Sequence, residues 1–156
     1  MGERDLTRIV RENRCICIRM EQCANLALAP QELTAAQAHV LLYILHHSDQ
    51  GACPTAIHRD FGCSKGALSC ILKRLQEKGY IRVLRCAQDD RRKLLFATEK
   101  GAALEQPLSR MLGALETRLY SCYSDEELDT LDRLQKKMLQ NLSHLTQTDN
   151  KEASKS

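Results

Sequence analysis

Between Pro54 and Gly101 the helix breakers are spaced so that only short elements fit. Pro54 suits a first helical turn, where its missing N–H is not needed. Gly62 permits a tight turn, because glycine enters conformations that other residues avoid. Ser64 is placed to cap a new helix and Gly79 to end it. The spacing predicts a helix over 54–61, a turn, and a second helix running to Lys78. Short strands follow over 81–85 and 93–97, joined by a polar hairpin from Cys86 to Arg92. A chain constrained in this way folds into a helix-turn-helix followed by a two-stranded ribbon.

Charge is concentrated in the same stretch. Residues 54–100 hold eleven Lys and Arg against five Asp and Glu, a net charge of +6, in a chain whose total is only +3. Leu68, Ile71, Leu72 and Leu75 fall on one face of the second helix, to pack on Ile57 and Phe61 of the first. Lys65, Ser69 and Lys73 recur every four residues and line up along another edge. Gly66 and Ser69 are small and Lys65 is basic, so the start of this helix can approach base edges closely. Arg74 and Lys78 lie nearer its end, where they can meet phosphate. Arg91, Arg92 and Lys93 are expected at the hairpin tip, beside Asp89 and Asp90, which can orient guanidinium groups by bidentate pairing. A helix end of this kind fits the major groove of double-stranded DNA, and a basic ribbon tip suits a narrow minor groove. The alternative for the helix alone is a solvated basic face with no partner. Helix, turn, helix and basic ribbon in succession favour nucleic acid.

The flanking segments are helical and amphipathic. Residues 4–29 carry Leu6, Ile9, Val10, Ile16, Cys17, Met20, Ala24 and Ala27 as one stripe. Pro30 ends this helix. Thr34 caps the next, whose buried side is Val40, Leu41, Ile44 and Leu45, before a loop at 48–51. Thr98 is expected to cap a fifth helix, bent near Pro107. Ser124 and Glu127 form a capping box, and Leu128, Leu131, Leu134, Met138, Leu142 and Leu145 make the stripe of the last helix. Two apolar stripes in so small a chain can be covered by a second copy. The polar end of the chain, residues 147–156, is expected to be a disordered tail.

Other functions lack parts. The chain has no phosphate-cradling glycine loop, no H-E-x-x-H and no G-x-S-x-G, so no enzyme is expected and no cofactor. Its eight cysteines form no C-x-x-C pair, which argues against a metal site and leaves free thiols as the default. The longest apolar run, Val40 to Leu45, is far too short to cross a bilayer. The charged start of the chain does not read as a secretory signal, so a cytoplasmic location is expected.

Several of these residues together resemble one family. Leu33, Thr34, Gln37, Val40 and Leu41, then Gly62-x-Ser64-x-x-x-Leu68-Ser69, then Leu75-x-x-Lys78-Gly79-Tyr80-Ile81, then Asp89-Asp90-Arg91-Arg92 and Thr98-Glu99-Lys100-Gly101 look like the MarR family of bacterial transcription regulators. The resemblance covers about residues 6–145, and its more specific part is the Asp-x-Arg ribbon followed by Thr-x-x-Gly. It implies a mainly α, winged helix-turn-helix fold, with residues 33–101 binding DNA. It also implies an obligate homodimer, formed through 1–32 and 102–146, that binds pseudo-palindromic operators, usually as a repressor. An effector site between the dimer and DNA lobes, taking a small aromatic ligand, is part of the same implication. By match to the motif, Ser64, Lys65, Gly66, Ser69 and Lys73 become recognition-helix contacts, and Arg91 and Arg92 wing contacts. Which of the two arginines enters the groove stays open. His58 departs from the pattern, standing where a small alanine is usual, and reads as a packed histidine.

Cys15 lies off the first stripe, with Arg11 and Arg19 four residues to either side. Some family members sense peroxides through a cysteine in the N-terminal helix, so an oxidant-responsive regulator is one alternative. An interaction adaptor that no longer binds DNA is another.

Overall fold

The structure is a computed structural model that describes residues 5–86 and 89–153, with residues 89–91 and 146–153 described by backbone alone. Its elements are α1 (Leu6–Leu28), α2 (Ala35–His46), α3 (Pro54–Phe61), α4 (Lys65–Glu77), β1 (Ile81–Cys86), β2 (Asp89–Ala97), α5 (Glu99–Ala102), α6 (Glu105–Tyr120) and α7 (Asp125–Ala153). The fold is the mainly α winged helix-turn-helix that the sequence implied.

Local chemistry sets the boundaries. Asp5 caps α1 by accepting from the Arg8 N–H. Pro30 falls in the 3-10 turn Ala29–Gln31 that ends α1, and Glu32 follows in the left-handed region at φ 54°. Thr34 and Gln37 close the capping box of α2, each side chain accepting from the other's backbone N–H at 3.2 and 3.1 Å. A second acceptor serves the same helix end: Asn25 Oδ1, on α1, takes the Ala35 N–H at 2.7 Å. Gly62, at φ 64°, closes α3 with its N–H on the His58 carbonyl. Ser64 Oγ accepts from Ala67 and opens α4.

One core unites the chain up to Glu116, which forms the first of two compact units. Leu28, Leu41, Ile44, Ile57, Leu75, Leu95 and Leu108 are fully buried in it. Leu68 and Leu75 of α4 point inward, as expected, with Ile71 and Leu72 packed at the margin. Phe61 does not join them. It remains 42% exposed and meets the Tyr43 ring edge-on instead.

The ribbon differs from expectation. β2 begins at Asp89, not Lys93, so Arg91, Arg92 and Lys93 belong to a strand and not to a hairpin tip. The antiparallel register runs from Ile81↔Ala97 to Arg85↔Lys93 and then jumps to Cys86↔Asp89. Asp90, Arg91 and Arg92 therefore stand in a bulge, which lets pairing continue past the irregularity. The turn itself, residues 87–88, lies outside the described residues. A third segment, just after the loop at 48–51, adds to the sheet: Ala52 exchanges both backbone hydrogen bonds with Leu95 at 2.8 Å.

Where one bent helix was expected after Thr98, there are two. Proline cannot donate to the carbonyl four residues earlier, and its ring crowds that carbonyl. For Pro107 that position is Ala103, and the helix breaks there, upstream of the proline. Leu104 bonds to Gly101 in a tighter turn before α6 starts.

The second unit begins at Thr117 and contains α7, opened by the expected capping box of Ser124 and Glu127. Leu134 and Leu145 on its stripe are exposed. The helix continues to Ala153, beyond the point where the sequence reading ends it. Residues 147–153 contain no proline or glycine to stop it, and residues 154–156 lie outside the described residues.

Candidate nucleic-acid interface

One face of α4 is an open surface. Ser64, Lys65, Gly66, Ser69, Lys73 and Arg74 are all exposed, whereas Leu68 and Leu75 on the opposite side are buried. A Cβ added at Gly66 would meet nothing within 4 Å, so that stretch of backbone is bare. Lys73 and Arg74 approach Glu77 at 3.9 and 3.5 Å. Pairs as exposed as these are weak and easily exchanged for another anion.

On the ribbon, Arg92 and Lys93 are exposed, while the Arg91 side chain lies outside the described residues. Arg92 stands close to the start of α3, where its charge acts on Cys53. Burial pushes the Cys53 thiol up. The backbone N–H groups of Thr55 and Ala56, the Thr55 hydroxyl and Arg92 outweigh that and hold it below a thiol's ordinary value. Basic ribbon and helix-turn-helix are thus brought together at the α3 N-terminus.

The junction behind this surface is stiff. Thr98 Oγ1 accepts from the Gly101 N–H and donates to the Gly79 carbonyl at 2.6 Å. A Cβ at Gly101 would lie 2.1 Å from the Tyr80 carbonyl oxygen, so only glycine fits. The Thr-x-x-Gly motif therefore locks the exit of the ribbon to the end of α4. Lys78 donates to the Glu32 carbonyl at 2.6 Å, and Lys100 donates to the Lys78 carbonyl at 2.7 Å. Half-buried His58 donates through Nδ1 to the Cys63 carbonyl and braces the turn, as a packed histidine.

An open groove of about 510 Å³ lies where α1, α2 and α4 meet. Asn25, Ala29, Leu33, Arg74 and Lys78 are among its lining residues. Cys15 is exposed on α1, and all eight cysteines are free thiols. Among the described residues no group of three His, Cys, Asp or Glu could hold a metal, and no helix is long and apolar enough to cross a membrane.

One polar cluster escaped the sequence reading. The Tyr43 hydroxyl donates to Asp60 Oδ2 at 2.9 Å, and Arg59 Nε donates to Asp60 Oδ1 at 2.8 Å. Seventeen residues separate Tyr43 from Asp60, so no local motif announces the contact.

Residues 31–92, which span α2, the helix-turn-helix and most of the ribbon, match the sequence model of the MarR family. This match and the structural ones support the MarR family. Members of the MarR family are transcription regulators, not enzymes. Among solved structures, the chain is similar to S. aureus MepR in complex with DNA. The two are 28% identical with a TM-score of 0.79, over 85% of this chain and 96% of that one. A cysteine-to-serine mutant of E. coli MarR complexed with operator DNA matches at 28% identity and a TM-score of 0.74, over 88% and 99% of the two chains. The transcriptional regulator SlyA, 23% identical with a TM-score of 0.78 over 87% and 94%, shares the fold.

Proposed function

We propose that this protein is a sequence-specific transcriptional repressor that binds a pseudo-palindromic operator as a homodimer and is released by a small-molecule effector. The observation that carries the reading is the exposed face of α4, bare at Gly66 and basic at Lys65, Lys73 and Arg74, beside the exposed Arg92 and Lys93. Relatives that share its fold at 28% identity were crystallised with DNA, which supports the same partner here. Ser64, Lys65, Gly66 and Ser69 face base edges in the major groove, because the N-terminal residues of a recognition helix reach them first. Lys73, Arg74, Arg91, Arg92 and Lys93 meet phosphate or the minor groove. Residues 33–101 supply this DNA-binding part.

The helices outside it supply the dimer. Leu6, Val10 and Ile16 are between 54 and 68% exposed. A second copy covering such side chains gains about 1.5–3 kcal/mol for each one fully buried. Two copies then set their recognition helices about 34–36 Å apart, one turn of DNA. The groove lined by Arg74 and Lys78 is the proposed effector site, for a small aromatic ligand. A cytoplasmic location follows from this role.

Selection of bound sequences from random duplex DNA tests the proposal. A palindrome with half-sites one helical turn apart is the expected result. Binding should also weaken steeply with added salt, because phosphate contacts release counterions. No enrichment, or no binding even at low salt, would end the regulator reading in favour of an interaction adaptor. The oxidant-sensing alternative predicts that hydroperoxide releases the DNA and that Cys15→Ser abolishes the release.

A further inference from the structure

We propose that Arg59 is a phosphate clamp flanking the recognition helix, aimed by Asp60 and anchored through Tyr43. The proposal rests on the DNA-binding reading above. Arg59 lies in the last turn of α3, three residues before the Gly62 turn that leads into α4. Its side chain is 75% exposed. Only Nε is engaged, on Asp60, and the two terminal nitrogens have no partner among the described residues. A guanidinium held in this way presents its outer edge as a fork, the geometry that matches two phosphate oxygens.

The aim is set from α2. Asp60 is gripped on its other oxygen by the Tyr43 hydroxyl. The Tyr43 ring stacks on His47 at 4.2 Å between centroids and meets Phe61 edge-on at 5.6 Å. The hydrogen bond from Arg59 and then that from Tyr43 hold the Asp60 carboxyl below the usual carboxylate range. Burial, followed by the bond to Asp60, pushes the Tyr43 phenol up. At neutral pH the carboxylate therefore remains an acceptor and the phenol a donor, and the relay holds its geometry. Exposed ion pairs add little to stability, so this three-residue arrangement is better explained by what it orients. The first helix of a helix-turn-helix crosses the DNA backbone, and Arg59 is its exposed cation at the end nearest α4.

The test uses the full chain and the duplex recovered by selection, with Arg59→Ala, Arg59→Lys and Tyr43→Phe. Affinity is read across a salt series and folding by thermal melting. Removing one phosphate contact from each of two protomers should lower the slope of log affinity against log salt by about 1.8. Affinity at about 0.1 M salt should fall about tenfold. The loss should be equal on operator and unrelated duplex, because phosphate contacts carry no sequence information. Arg59→Lys should restore the slope but not the full affinity, since lysine keeps the charge without the fork. Tyr43→Phe should keep the slope and lose part of the affinity. If Arg59→Ala keeps wild-type slope and affinity while the wild type binds steeply, the clamp is refuted and the DNA-binding reading stands. If Tyr43→Phe binds like the wild type, the anchoring role is refuted. If the wild type itself ignores duplex DNA, the functional reading falls and takes the clamp with it.

Discussion

Two glycines carry opposite expectations. Gly66 is bare on the first turn of α4, with nothing near the place a Cβ would occupy. Gly66→Ala should raise stability by about 0.5–1 kcal/mol, because alanine is the better helix former. It should nonetheless weaken operator binding if the backbone there approaches a base edge. Melting and gel shift together check the pair of signs, and tighter binding by the alanine variant would contradict the close approach. Gly101 is the reverse case. Its missing Cβ makes room for the Tyr80 carbonyl, and that oxygen cannot swing aside as a flexible side chain would. Gly101→Ala should cost about 1–3 kcal/mol, the usual penalty of overpacking, measured as a drop in the urea midpoint.

At the level of elements, the start signals were the most legible part of the chain. Thr34, Ser64, Thr98 and Ser124 each cap the helix they were expected to cap. A hydroxyl that accepts from an N–H three residues on is a purely local device, so sequence spacing reveals it. Thr34→Ala should accordingly cost about 1 kcal/mol in thermal or urea unfolding. Features that depend on distant partners were not visible. The Ala52 bridge needs Leu95, and the bulge at Asp90–Arg92 needs the register of β1. Phe61 was expected in the core by helical spacing, but an aromatic partner on α2 holds it at the margin. Pro107 was read as a bend because the chain around it is helix-forming, yet its steric conflict acts one turn upstream. Of the candidate site, the exposed helix edge of α4 could be read from periodicity alone. The relay of Tyr43, Asp60 and Arg59 could not, because tertiary packing of α2 on α3 creates it.

For the whole molecule, the association state is the quantity to measure. At about 10 μM the chain should sediment as a dimer, with twice the 17.7 kDa of one copy. Val10→Glu, placing a charge on an exposed apolar position of α1, should shift that equilibrium toward monomer and weaken operator binding in proportion. An unchanged sedimentation profile in the variant would remove Val10 from the contact. The way α1 is fastened bears on what such an assembly can transmit. Its Asn25 is hooked onto the first turn of α2, and the left-handed joint at Glu32 is clasped by Lys78 reaching back from the far end of α4. The long N-terminal rod is therefore hooked to α2, and the joint between them to the end of α4, so that rod and α4 are linked through α2 like crank and shaft. A swivel imposed on the rod should pass through α2 to α4, and spin labels on α1 and α4 would report whether the two turn together.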